Sequence, residues 1–272
     1  MAPNEKSLIE FLTQLFGDNL SYSAINTAKS AVCSVNIMSN IALGKHPSVI
    51  RFMKGVFNLR PNLPKNTCIW DINQLLDWVR KKSPVKFLSL KDLTFKLTAL
   101  IAILSGQRAQ TMNLIKLENI VKTKDGLVIN ITEKVKQSKP GKHVKPISLG
   151  SYPPDRRVCV VTVYKEYLKR TKLLRKDSNS LLISYIKPYK EVNVSTISRW
   201  LRTIMVQAGI DMNMFTPGTT RSASVSAAHR AQVPLNTILK TGGWFVHNTF
   251  NKFYNKDIVD INKYSKAILQ NS

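Results

Sequence analysis

Residues 89–149 read SLKDLTFKLTALIAILSGQRAQTMNLIKLENIVKTKDGLVINITEKVKQSKPGKHVKPISL, and this stretch decides the fold class. Ser89 with Asp92 three residues later is a helix-start pattern. Leu97, Leu100, Ile101 and Leu104 continue the helix, which should stop near Gly106. Gln107 to Leu114 restarts as a short helix. Gly126-Leu127-Val128-Ile129-Asn130-Ile131 is strand-like, Lys139-Pro140-Gly141-Lys142 is turn-like, and Val144 to Leu149 returns as a second strand. A long apolar helix, a break, a short helix and a hairpin predict a mainly α (α+β) domain with a small antiparallel sheet.

Working outward, Val158 to Leu174 is an amphipathic helix, and Leu181 to Tyr185 is a short strand or buried segment. Ser195 is expected to cap a helix carrying Ile197, Trp200, Leu201, Ile204, Met205 and Ala208, stopped by Gly209. Short helices follow at about 219–230, 234–240 and 248–254, then a tail helix near 257–269. Upstream, Ser7 to Phe16, Ser21 to Met38 and His46 to Phe57 read as helices, the last with Pro47 in its first turn. Arg60-Pro61-Asn62-Leu63-Pro64 is a break, and Asp71 to Val79 is a short amphipathic helix. Lys81-Lys82-Ser83-Pro84 is the linker candidate, so the expected domains are 1–85, helical, and 86–272, mainly helical with the sheet.

The charge limits the partners. Lys and Arg number 41 against 16 acids, a formal net charge of +25 on 272 residues. Such a surface repels itself unless it meets a polyanion, which points to nucleic acid. Residues 1–85 hold ten basic and five acidic residues, and 86–272 hold 31 and 11, so the second region is the stronger electrostatic footprint. A basic ribosome-type protein is the plain alternative, but here the charge is spread through patterned segments and not Gly/Lys/Arg tails. Neither an RRM nor a KH signature is present.

Other classes lose ground. Cys33, Cys68 and Cys159 are far apart and form no CxxC pair, against a disulfide scaffold or zinc site and in keeping with a reducing compartment. The start, MAPNEKSLIEFLTQLF, reads as a plain helix and not a signal peptide. The richest apolar run, Leu97 to Leu104, is far short of the roughly 20 residues a bilayer span takes, so no membrane partner is expected. Acids form no cluster for a two-metal nuclease, and His46, His143, His229 and His247 show no metal-ligand spacing. The GxxxxGK[ST] loop of a nucleotide site is missing. A DNA enzyme with neither metal nor nucleotide must stabilise phosphate charge with Arg and Lys and take its nucleophile from a side chain.

Such parts occur in order. Arg108 follows the helix-stopping glycine in Leu104-Ser105-Gly106-Gln107-Arg108-Ala109-Gln110-Thr111, where it can project into a cleft. The hairpin carries Lys134, Lys136, Lys139 and Lys142. Arg221 lies in Thr219-Thr220-Arg221-Ser222-Ala223-Ser224, at a helix start whose backbone N–H groups also favour an anion. Trp244 follows Gly242-Gly243, and Tyr254 closes Phe250-Asn251-Lys252-Phe253-Tyr254.

This order and spacing resemble the tyrosine recombinase (phage-integrase) family, and most closely the recombinases of DIRS-type and crypton-type mobile elements. The stretches that carry the resemblance are Ser21 to Ala28, His46 to Pro61 (HPSVIRFMKGVFNLRP), Lys136-Gln137-Ser138-Lys139-Pro140-Gly141, Thr196-Ile197-Ser198-Arg199-Trp200, and Ile238 to Trp244 through Phe253-Tyr254. It spans about residues 8 to 258; no one piece is specific, but five in one order are. The resemblance implies that Arg108 and Arg221 clamp the scissile phosphate and that Lys136 protonates the leaving 5′ oxygen, with Lys134 and Lys139 as rivals in register. Trp244 matches the position, His or Trp in the family, that donates a hydrogen bond to the phosphate. Tyr254 matches the nucleophile that forms a 3′-phosphotyrosyl link, with Tyr264 the next candidate. No cofactor is implied. The implied partners are double-stranded DNA, gripped by a C-shaped clamp, and three further copies in a homo-tetramer on two recombining sites. The expected location is the nucleus of a eukaryotic host, otherwise the cytoplasm or nucleoid.

One position departs from the pattern. The family usually has a His three residues before the second arginine, where this chain has Gly218. That His helps activate the tyrosine, a general acid/base role typically worth about 10²–10⁴-fold. The chain therefore reads either as an impaired recombinase or as a catalytically inactive DNA-binding descendant. Gly218 also follows Pro217 in a turn-like pair, where a backbone angle open only to glycine is conceivable.

Overall fold

The computed structural model describes residues 4–35, 42–61, 68–135, 138, 145–243, 256–258 and 269. The chain divides into two compact units, Met1–Lys65 and Asn66–Ser272.

The first unit contains α1 (Glu5–Gly17), α2 (Tyr22–Val35) and α3 (Pro47–Leu59). Asn4 caps α1 reciprocally: its Oδ1 accepts from Ser7 N at 2.8 Å, while Asn4 N donates to Ser7 Oγ at 3.1 Å. Leu8 and Leu12 of α1, Ile25 of α2, and Val49, Met53 and Val56 of α3 form one small core at helical spacing. Arg60 closes it, donating to the carbonyls of Phe16 and Leu20 at 2.9 and 3.0 Å with its guanidinium 3.9 Å above the Phe16 ring. The end of α1 is thus capped by a cation from after α3.

The second unit runs β1 (Cys68–Ile69), α4 (Ile72–Lys81), α5 (Leu90–Ser105), α6 (Ala109–Asn113), β2 (Ile120–Lys122), β3 (Gly126–Ile129), β4 (Ile147–Gly150), α7 (Val160–Thr171), α8 (Val194–Gln207), α9 (Thr219–Arg230), α10 (Leu235–Gly242) and β5 (Asp257–Ile258). Helix α5 is its axis. Ser89 Oγ accepts from Asp92 N at 3.0 Å to start it, and Gly106 in the left-handed region (φ 58°) ends it, as the sequence predicts. It is buried on all sides from Leu93 to Ile103, with α4, α7, α8 and α9 packed around it. Strands β2, β3 and β4 form an antiparallel sheet in that order, and Leu127↔Leu149 and Ile129↔Ile147 point apolar side chains into the core. A Cβ on Gly126 would lie 2.1 Å from the Leu149 carbonyl oxygen, so only glycine permits this approach. The mainly α architecture with a small antiparallel sheet is as expected.

Four expectations change. The boundary moves from 85 to 65/66, because Leu75, Trp78 and Val79 of α4 are buried in the second unit's core. The segment 81–84 is not a linker. Lys96, fully buried on α5, donates from Nζ to Val79 O (3.0 Å), Lys82 O (2.6 Å) and Ser83 Oγ (3.0 Å), and Lys82 pairs with Asp92 at 2.8 Å. A run of lysines reads as solvated, but a buried ammonium from the next helix claims its carbonyls. Asn193, not Ser195, caps α8, its Oδ1 accepting from Thr196 N at 2.9 Å. Asp257–Ile258 is strand, not helix, and pairs in parallel with Cys68–Ile69. These two-residue strands carry no periodicity to read, nor does the third sheet strand, β2. The helix expected at 248–254 and most of the tail lie outside the described residues.

Candidate active site

The site is built where the loop after α5, the start of α9 and the end of α10 meet. Arg108 occupies the N-cap position of α6, half-buried, with extended backbone (φ −81°, ψ 154°). Arg221, in the first turn of α9, is 3% exposed. Its Nη1 donates to Gly106 O at 2.8 Å and its Nη2 to Gly242 O at 2.6 Å. One guanidinium therefore ties together the residue before the Gln107–Arg108 pair and the residue two before Trp244. A planar fork does this with a separate nitrogen for each carbonyl.

Gln107, which sequence reasoning passed over, completes the junction. Its side chain is buried and Nε2 donates to Thr241 O at 2.7 Å, while its backbone N donates to Ser105 Oγ at 3.2 Å. Nothing in the sequence marks it, since an amide in a loop after a helix-stopping glycine reads as solvent-facing. A Cβ on Gly106 would meet Val225 Cγ1 at 3.4 Å, so the loop lies close against α9. Trp70 Nε1 donates to Thr219 Oγ1 at 3.0 Å and holds the start of α9 to the core. Small residues suit α9 to this crowding: Thr220, Ser222, Ala223 and Ser226 are all buried.

Arg108, Arg221 and Gly218 line one cavity of about 310 Å³, with Gln107, Ser198 and Leu201 among its other walls. Two guanidinium charges beside a concave space of this size suit a tetrahedral oxyanion such as phosphate. The amides of Thr219 and Thr220, expected to face an anion, donate instead to Thr216 O (2.8 Å) and Pro217 O (3.3 Å). Gly218 is exposed at φ −65°, ψ −20°, an ordinary right-handed conformation, and an added Cβ would meet only Thr216 Oγ1 at 3.8 Å. The glycine-only backbone considered from the Pro217-Gly218 pair is therefore not what is found.

The structure thus brings together Arg108, Arg221 and the Gly218 position. Lys134 is exposed beyond β3; beside it, Val135 N donates to Ser138 Oγ at 3.1 Å and Ser138 N to Val135 O at 2.9 Å. Lys136, Lys139, Lys142, Trp244, His247, Tyr254 and Tyr264 lie outside the described residues. Among the described residues no group of His, Cys, Asp or Glu is arranged to hold a metal ion. No helix among them is long and apolar enough to cross a membrane.

The sequence profile of the phage integrase family matches residues 70–258. The chain belongs to this family. That match begins at Trp70, inside the second unit, and runs to the end of β5. No curated protein sequence matches the chain. Among solved structures, the phage integrase fold is shared with the XerH site-specific recombinase bound to palindromic difH substrate in a post-cleavage complex (TM-score 0.65, 14% identity, covering 99% of this chain and 73% of that one). It is shared with the XerA recombinase (TM-score 0.54, 14% identity, 98% and 90%). The integrase of the Tn1549 transposon in complex with circular intermediate DNA also matches (TM-score 0.58, 12% identity, 98% and 85%). At these identities the likeness is one of fold, that of a tyrosine recombinase.

Proposed function

We propose that this chain binds double-stranded DNA and cuts and rejoins it through a 3′-phosphotyrosyl intermediate. The observation that carries the reading is the convergence of Arg108 and Arg221 on one cavity, in a chain of net charge +25. In the proposed step, Arg108 and Arg221 neutralise the non-bridging oxygens of the scissile phosphate. The Tyr254 phenolic oxygen attacks phosphorus and the P–O5′ bond breaks. Lys136 gives a proton to the departing 5′ oxygen, and the phenolic proton passes to water, since Gly218 offers no acceptor. Trp244 donates to a phosphate oxygen. The new phosphodiester keeps the energy of the old one, so the step calls for no cofactor. Rejoining is the reverse, with the 5′ hydroxyl of a partner strand attacking.

The helical unit 1–65 supplies the second arm of a DNA clamp on this reading, and assembly is as a homo-tetramer on paired sites. The host element is of DIRS or crypton type, and the protein works in the nucleus of a eukaryotic host, otherwise in the cytoplasm or nucleoid. A second reading, a DNA binder that no longer cuts, is favoured by one observation, the glycine at 218. The deciding experiment incubates the full chain with a pooled library of nicked duplexes and looks for covalent protein–DNA adducts. Adducts that vanish in Tyr254→Phe, with binding intact, support the recombinase. Tight binding without adducts supports the binder. Adducts that persist in Tyr254→Phe put the nucleophile elsewhere, Tyr264 first.

A further inference from the structure

The other side of α8 carries a second concavity. Ser198 and Leu201 face the Arg108–Arg221 cavity, whereas Arg199 and Trp200 line a cleft of about 600 Å³ closed on its far side by α5 and the 184–192 loop. Its floor is an aromatic cluster: Phe95 and Tyr185 meet edge-on at 5.6 Å, and Trp200 lies 5.6 Å from Tyr185 and 6.1 Å from Phe95. Lys91 stands over this floor, its Nζ 5.7 Å from the Phe95 ring and 6.0 Å from the Tyr185 ring. Arg199 is exposed at the opposite wall.

The rim is net positive. Its one carboxylate, Glu191, is already engaged, accepting from Ser178 Oγ at 3.0 Å with Lys116 Nζ 3.8 Å away. Lys187 and Lys190 are exposed on the adjoining loop. The volume falls within the range of pockets that take a few side chains, about 300–1,000 Å³, and the lining joins an aromatic floor to polar and charged walls.

We propose that this cleft is a docking site for an acidic peptide segment of another protein, one apolar anchor side chain entering over Tyr185 and Trp200 and flanking carboxylates meeting Lys91 and Arg199. Charge complementarity selects this occupant. The tail of a second copy, from 256 on, has Lys256, Lys263 and Lys266 against Asp257 and Asp260, so it is not the acidic segment the rim calls for. A duplex is too broad to enter the cleft and could touch only its rim. Because α8 separates the two cavities, the peptide and DNA at the arginine pair can be held together, which makes the cleft a means of recruiting a partner to DNA-bound protein.

The test uses a fluorescein-labelled heptapeptide of alternating Asp and Glu with one central Phe, and the same peptide with Ala at the centre. Anisotropy of the full chain should show saturable binding, weakened about tenfold by Ala in the peptide and about tenfold by Lys91→Glu or Arg199→Glu, a factor typical of one anchor or one desolvated charge pair. Lys124→Glu, an exposed lysine at the β2–β3 turn, should leave it within about twofold. Circular dichroism and retained duplex affinity certify that the variants fold. Equal binding of the Phe and Ala peptides, or equal loss in Lys124→Glu, would reduce the effect to general charge attraction and overturn the proposal. A fall in duplex affinity as large as the fall in peptide affinity in Lys91→Glu would assign the rim to nucleic acid and overturn it too.

Discussion

Replacing Gly218 by histidine asks whether the departing position is what limits this chain. The backbone there (φ −65°, ψ −20°) is open to any residue, and the new Cβ meets only Thr216 Oγ1 at 3.8 Å, ordinary contact distance. Stability should change little. Glycine is a fair N-cap whose loss costs a few tenths of a kcal/mol, while removing it from the unfolded chain gains about 0.4–1 kcal/mol, so the two nearly cancel. The imidazole would project from the rim of the cavity that holds Arg108 and Arg221. A positioned acid/base is typically worth about 10²–10⁴-fold, and an unevolved one should reach the lower figure, so Gly218→His is expected to raise the adduct-formation rate by about 10²-fold. The assay follows covalent adducts on nicked duplexes with time, beside a urea melt of both proteins. A melt shifted by more than about 2 kcal/mol would refute the backbone reasoning. An unchanged rate, with native adducts that depend on Tyr254, would refute the idea that the missing histidine is limiting.

Arg108→Ala should abolish adducts with a stability loss under about 1 kcal/mol. Arg221→Lys should abolish them and also cost about 1–3 kcal/mol in a urea melt, because the carbonyls of Gly106 and Gly242 lose the fork that reaches each from its own nitrogen. Gln107→Leu, which strips the donor from Thr241 O, should cost about 1–3 kcal/mol and slow adduct formation more than it weakens DNA binding; an equal effect on both would deny it a positioning role. Burial pushes the Lys96 ammonium down from the ordinary 10.5 to about 8, so between these values the unfolded chain holds more protons and stability should rise with pH. Below pH 8 the burial cost is present in full, at most on the order of 3 kcal/mol, and Lys96→Met should flatten the rise between pH 8 and 10.5; parallel curves for the two proteins would count against it.

The parts of the fold that were legible in the sequence are those with a local cause. Ser89 and Asp92 mark the start of α5 and Gly106 its end because caps and left-handed glycines act within one turn. The β3–β4 hairpin follows from alternation at Leu127, Ile129, Ile147 and Leu149. Helix α9, Thr219–Arg230, lies where a short helix at about 219–230 was expected. What stayed hidden depends on distant partners. Lys81 to Pro84 looks like a linker until Lys96, on the next helix, is seen to claim its carbonyls. Asn193 and Ser195 are equally good caps by residue type, and only the hydrogen bond to Thr196 chooses between them. At the site, Arg108 and Arg221 were found by order and resemblance, but the bonds of Arg221 and Gln107 to α10 could not be, since they join residues 21 and 134 positions apart.

The same long-range bonds change what the charge of +25 means. Read from composition, every Lys and Arg is a phosphate contact in waiting. In the folded chain several are internal caps. Arg60 serves the carbonyls of Phe16 and Leu20, Lys96 those of Val79 and Lys82, Arg170 that of Val85 at 3.1 Å, and Arg175 that of Leu181 at 2.8 Å. Each sits where the chain turns and gives a side-chain donor to backbone oxygens at the ends of elements. Lys96 and Arg175 are also buried and line neither cavity described above. The salt dependence of DNA binding reports only phosphates neutralised at the interface, at about −0.9 in log K per log salt for each. Its slope should therefore be steep yet set by the exposed cations alone. Lys96→Met should leave that slope unchanged while altering stability, whereas reversing an exposed lysine on the DNA face should lower it by about 1 to 2. A chain of this composition thus spends cations on two separate tasks, and the slope and the melt distinguish them residue by residue.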